Sequence, residues 1–96
     1  MEGESQVRAV ARAIAILEQF TLAQPERTLT DISLGIGLSK STTHRLLATL
    51  QSCEMVEFDK KSGRYSLGLK AFRLGSVVSK GMELLAQSDP LLEKVA

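Results

Sequence analysis

Hydrophobic positions between Val7 and Phe20 recur in steps of three and four: Val7, Val10, Ile14 and Leu17, joined by Ala13 and Phe20. That spacing predicts an amphipathic helix with Arg8 and Arg12 on its opposite face. The pattern fades at Ala23 to Pro25, because proline disfavours helical geometry in the residue before it, and Gln24, Glu26 and Arg27 make a polar turn. Thr30 then stands where an N-cap belongs, and Asp31 faces the dipole of a short helix that runs to about Ile36 and buries Ile32. Gly37 supplies the left-handed residue that stops it. Ser39 is the next N-cap. The helix it opens, Lys40 to Cys53, puts Leu46, Leu47, Leu50 and Cys53 on one stripe and Ser41, His44, Arg45, Ala48 and Ser52 on the other side.

Beyond Cys53 the period changes from helical to alternating. Met55 to Asp59 reads as a strand and Arg64 to Leu67 as its partner, with the polar, glycine-containing link Lys60 to Gly63 as a hairpin turn. A helical pattern resumes from Leu69 to about Ala86, with Leu69, Phe72, Val77, Met82 and Leu85 as its expected buried face, weakened at Gly75 and Gly81. Ser88, Asp89 and Pro90 look like the cap and first turn of a further helix carrying Leu91, Leu92 and Val95, and the pattern stops in mid-course at Ala96, as in a fragment. Two helices joined by a short turn and followed by a hairpin predict a mainly α fold with a small β-hairpin wing. This is a winged helix-turn-helix, a three-helix core plus wing, followed by a linker helix. The expected divisions are a disordered tail at 1–6, the winged domain at 7–68 and the linker helix at 69–87.

Composition narrows the picture. Ninety-six residues with 44% hydrophobic content suit one small core, and with no Trp, one Tyr and three Phe it is built from aliphatic side chains. The net charge of +1 is uninformative until the charges are placed: Lys40 to Lys80 holds eight basic residues against three acidic ones, so a near-neutral chain can carry a basic face. The single Cys53 excludes an internal disulfide, and its place on the apolar stripe makes it an expected core residue. One His and one Cys cannot supply the four ligands of a structural zinc site, so no metal is expected. Gly35-Ile36-Gly37 is a broken match to a phosphate loop, with no strand before it and no lysine at the required spacing, and no other cofactor motif is present. Asp31 lacks a carboxylate partner nearby in sequence, and no catalytic constellation emerges, so the chain is not expected to be an enzyme. The acidic start and the absence of an apolar run near the roughly 18 residues of a membrane span point to a cytoplasmic protein with no membrane partner.

The central chemistry lies in Lys40 to Arg45. A helix that enters the major groove needs an apolar back and a front of short polar or basic residues, so that its backbone approaches the base edges. Ser41, Thr42, His44 and Arg45 offer donors and acceptors there, and the planar fork of Arg45 matches guanine O6 and N7. Lys40 and Thr43, at the helix start, are placed for phosphates. On the wing, Lys60, Lys61 and Arg64 lie at or beside the hairpin tip, within reach of a phosphate backbone or a minor groove. Each feature has a plainer alternative: a Ser/Thr-rich first turn is also a capping region, a charged turn is also solubilising, and Arg8 and Arg12 are also ordinary solvated residues.

Four blocks in this order resemble the N-terminal domain of IclR-type bacterial transcriptional regulators: the Val7 to Phe20 opening, Leu29-Thr30-Asp31-Ile32 with Gly37-Leu38, Ser39 to Leu50, and Arg64-Tyr65-Ser66-Leu67-Gly68. The resemblance runs from Val7 to about Leu92. It implies sequence-specific binding of double-stranded DNA at a near-palindromic operator, by a homodimer formed through the N-terminal domain and the linker helix. It implies DNA contacts from Arg8 and Arg12 on the first helix, from Lys40 to Arg45, and from Arg64. It also implies that 88–96 begins a C-terminal domain that binds a small-molecule effector. Glu54 departs from the pattern, standing where the family usually places Gly; a left-handed conformation there costs a non-Gly residue about 1 kcal/mol. Gly35 also loosens the second helix. The rival readings are a winged helix that presents the same surfaces to a protein partner, without sequence-specific DNA binding, and a winged-helix RNA binder or accessory domain of a nucleic-acid enzyme.

Overall fold

A computed structural model of the chain describes residues 6–88. Its elements are α1 (Arg8–Leu17), β1 (Glu26–Thr28), α2 (Leu29–Ile36), α3 (Lys40–Ser52), β2 (Val56–Asp59), β3 (Arg64–Leu67) and α4 (Leu69–Ser88). The architecture is the expected mainly α fold with a small β wing. Ser88 belongs to α4, while the helix expected after it, the side chain of Leu85 and most of the expected tail lie outside the described residues.

One core joins the helices to the wing. Ile16 and Phe20, Ile32, Leu47 and Leu50, Val56 and Tyr65 are buried together, with Ala13, Leu17, Leu29, Ile36, Leu46 and Met55 packed around them. Each large aliphatic side chain removed from water contributes about 1.5–3 kcal/mol, so this cluster is what holds three short helices against the sheet. Helix caps set the boundaries between them. The Ser39 hydroxyl accepts from the Thr42 N–H, and Gly37 takes the left-handed φ of 71° while donating its N–H to the Ser33 carbonyl at 2.9 Å.

Several expectations require correction. α1 ends at Leu17, and it turns Ile16 inward, whereas Val10 and Ile14 remain 60% and 50% exposed. Alanines and branched residues occupy most of this helix, so it carries two apolar stripes and only one meets the core. Glu26 and Arg27, read with Gln24 as a polar turn, belong to the strand Glu26–Thr28, which pairs antiparallel with β3 and gives a three-stranded sheet in the order β1-β3-β2. The cap of α2 is Thr28, whose hydroxyl accepts from the Asp31 N–H at 3.1 Å; Thr30 lies within the helix. Cys53 is exposed as the C-cap of α3, because the helix ends just before the residue that would have prolonged its buried stripe. On α4 the expected buried face is open, with Phe72 at 70% and Val77 at 71% exposure.

Candidate nucleic-acid interface

α3 presents its two sides as a reading helix requires. Thr43, Leu47 and Leu50 are buried, while Lys40, Ser41, His44, Arg45, Ala48, Thr49 and Ser52 are exposed and Thr42 is half-buried. No acidic side chain stands anywhere along it. At its start the Ser39 hydroxyl lies 3.1 Å from that of Thr42 and 3.4 Å from that of Ser41, so the polar groups of the first turn are already oriented before any ligand arrives. Further along, the Thr49 hydroxyl donates to the Arg45 carbonyl at 3.3 Å and that of Ser52 to the Thr49 carbonyl at 2.7 Å, which leaves their oxygens free only to accept.

Thr43 does not belong to this surface. Its side chain is wholly buried and its hydroxyl donates to the Ser39 carbonyl at 2.8 Å, so it closes the first turn from the inside and cannot reach a phosphate. The other members of the expected set stay on the outside. Arg8 is exposed, Arg12 is half-buried, and the two line one shallow depression along α1 with Gln6, Ala11 and Ala15.

The wing tip is a defined turn. The Asp59 carboxylate accepts from the Lys61 N–H at 3.2 Å, the Gly63 N–H donates to the Asp59 carbonyl at 2.8 Å, and Gly63 takes a φ of 73° that favours glycine. Lys60, Lys61 and Arg64 project from it exposed, and Arg64 pairs in register with Thr28 on one side and Asp59 on the other. Beneath the tip, Phe58 and Tyr65 pack with ring centroids 4.6 Å apart, and burial pushes the Tyr65 hydroxyl above its usual pKa of 10.

A family model described as the IclR helix-turn-helix domain matches residues 9–60, a stretch that runs from within α1 to just past β2. The chain belongs to the IclR helix-turn-helix family. Among its relatives are the HTH-type transcriptional regulator XynR of Escherichia coli, 38% identical over 94% of this chain and 36% of that protein, and the acetate operon repressor of Salmonella typhimurium, 34% identical over 94% and 33%. A solved IclR family transcriptional regulator from Brucella abortus superposes with a TM-score of 0.78 at 29% identity, over 88% of this chain and 34% of that one. The chain thus spans about a third of the length of the relatives it matches. An IclR helix-turn-helix domain is a DNA-binding domain, and both relatives are named as regulators. The departure at Glu54 has a counterpart in geometry: this residue takes a φ of 66°, the only left-handed non-glycine among the described residues. Among those residues no helix is long and apolar enough to cross a membrane.

Proposed function

We propose that residues 7–68 read a near-palindromic operator as one half of a homodimer, and that 69–87 link them to a C-terminal domain that binds a small-molecule effector in the cytoplasm. The front of α3 is the single observation that carries this reading: an exposed, acid-free row of Ser41, His44 and Arg45 over a fully packed back. In this assignment Arg45 reads guanine, Ser41, Thr42 and His44 read neighbouring base edges, and Lys40 holds a phosphate. Arg64, Lys60 and Lys61 hold the backbone or the minor groove from the wing, and Arg8 and Arg12 do so from α1. The two exposed apolar stripes, Val7-Val10-Ile14 along the start of α1 and Leu74-Val77-Val78 on α4, support a second copy as partner, since contiguous apolar surface on a small domain marks an interface. The name of the Salmonella relative supports repression as the sign of regulation.

Selection of bound duplexes from a random pool tests the proposal. The expected result is a two-fold symmetric motif with half-sites about one helical turn apart, or a multiple of it, bound with an affinity that falls with salt by a slope of about −0.9 per phosphate neutralised. Undetectable duplex binding at low salt, or binding without a salt slope, would favour the protein-interaction alternative. Preference for structured RNA over duplex DNA would overturn it as well, since an A-form major groove is too narrow for α3.

A further inference from the structure

α4 is attached to the domain in an unusual way. Every residue from Phe72 to Lys80 is exposed, so the helix gains little hold from side-chain burial over that stretch. Its start is held by backbone instead. The Gly68 N–H donates to the Met55 carbonyl at 2.8 Å and the Lys70 N–H to the Glu54 carbonyl at 3.0 Å. Those two acceptors sit in the turn that ends α3, and the turn is itself bonded back into that helix: Cys53 N–H to the Thr49 carbonyl at 3.1 Å, Glu54 N–H to Gln51 at 3.0 Å and Met55 N–H to Leu50 at 2.9 Å. The left-handed φ of Glu54 turns the chain out of α3 and leaves both carbonyls to α4.

Gly68 is what lets the two segments meet. A Cβ on it would stand 2.5 Å from the Glu54 carbonyl oxygen, 3.1 Å from the Glu54 carbonyl carbon and 3.2 Å from that of Met55, all main-chain atoms that cannot swing aside. Gly75 and Gly81, farther along α4, have nothing within 4 Å of the same position.

We infer that Gly68 is a positioning residue for DNA reading: its joint with Glu54 and Met55 makes α4 and the recognition helix α3 one rigid piece and so fixes the half-site separation that two copies accept. The inference rests on the dimeric operator reading above, in which α4 helps join the copies. A rigid joint transmits the geometry of the α4 pair to the two reading helices; a loose one lets each helix swing independently.

The test measures binding to duplexes carrying the selected half-sites at their native separation and at separations changed by about 5 base pairs, half a helical turn. The wild-type chain is expected to lose at least about tenfold in affinity on the altered duplexes. Gly68→Ala is expected to bind a single half-site as the wild type does, yet to discriminate between separations by less than about threefold. Gly75→Ala, on the open stretch of α4, is expected to keep the wild-type discrimination. If Gly68→Ala keeps it too, or if Gly75→Ala relaxes it equally, the joint is not the device. If the wild type reads single half-sites only, the dimeric reading fails and carries this inference with it, a result distinct from either.

Amide hydrogen exchange in the wild-type chain provides a measurement that does not depend on the variant folding. The amides of Gly68 and Lys70 lie at a helix start, where no intrahelical acceptor exists, so their protection reports the joint. They are expected to exchange as slowly as the buried amides of α3. Exchange at unprotected rates would overturn the inference.

Discussion

The guanidinium of Arg27 donates through Nη1 to the main-chain carbonyl of Gln19 at 2.8 Å, tying β1 to the chain that leaves α1. The same Gln19 lays its side chain over Gly35 of α2, where a Cβ would collide with it. Gln19 is therefore the point at which the first helix, the first strand and the second helix are fastened together. A hydrogen bond with a charged donor contributes about 1.5–3 kcal/mol, so Arg27→Ala is expected to lower stability by about that amount. Each 1 kcal/mol moves the melting temperature of a domain this size by about 4–8 °C. Arg27→Met is expected to lose less, because it keeps most of the stem and removes the Nε that is buried without a partner. Thermal denaturation decides: an unchanged melting temperature for Arg27→Ala would sink the assignment.

Thr43 separates folding from reading. Because its side chain is wholly buried and its hydroxyl is bonded to Ser39, Thr43→Ala is expected to cost about 1–2 kcal/mol in urea unfolding. Base preferences in a duplex selection should stay as in the wild type. A changed motif with unchanged stability would return Thr43 to the DNA surface.

The exposed cations are expected to divide by role. Arg45→Ala should relax the preference at one position of each half-site, with about 1–3 kcal/mol of discrimination lost there. Lys61→Ala should instead weaken binding to all duplexes nearly uniformly and reduce the salt slope by about 1. Affinity measured on matched and mismatched duplexes over a salt series distinguishes the two, and the reverse pattern would exchange their roles.

Much of this was legible in the chain because it is encoded locally. The cap at Ser39, the stop at Gly37, the change of period after Cys53 and the glycine at the wing tip each act within a few residues, and each stands where it was expected. What escaped depends on neighbours far along the chain. Glu26-Arg27-Thr28 has no alternating apolar pattern and is a strand only because β3 offers it an edge. α1 has two apolar stripes, and periodicity alone does not say which one α2 and α3 cover. Thr43 lies four residues before Leu47 and seven before Leu50, which is the spacing of the buried face, but its hydroxyl disguised it as a surface group. The strained turn at Glu54 came into view only against a family pattern that has glycine there.

Alkaline titration probes the wing. Burial raises the pKa of Tyr65 above 10, so the folded domain holds that proton more tightly than the unfolded chain does. The resulting stability is fully present below about pH 10 and is lost as pH rises through the folded value. With a single tyrosine in the chain, tyrosinate absorbance reports this group alone. The expected titration midpoint lies above that of the urea-unfolded chain; a coincident midpoint would mean that the ring is not held under the tip.

Thr28 is the last residue of β1, the register partner of Arg64 and the cap of α2 at once. The base of the wing is thereby pinned to the helix-turn-helix by a residue that serves both, whereas the stretch Lys60 to Gly63 beyond it is closed only by the turn's own hydrogen bonds. The tip is accordingly a place where residues can be inserted or lost without disturbing how α3 is aimed. Reach along the duplex and choice of bases can thus diverge separately as such a domain is retuned to a new site.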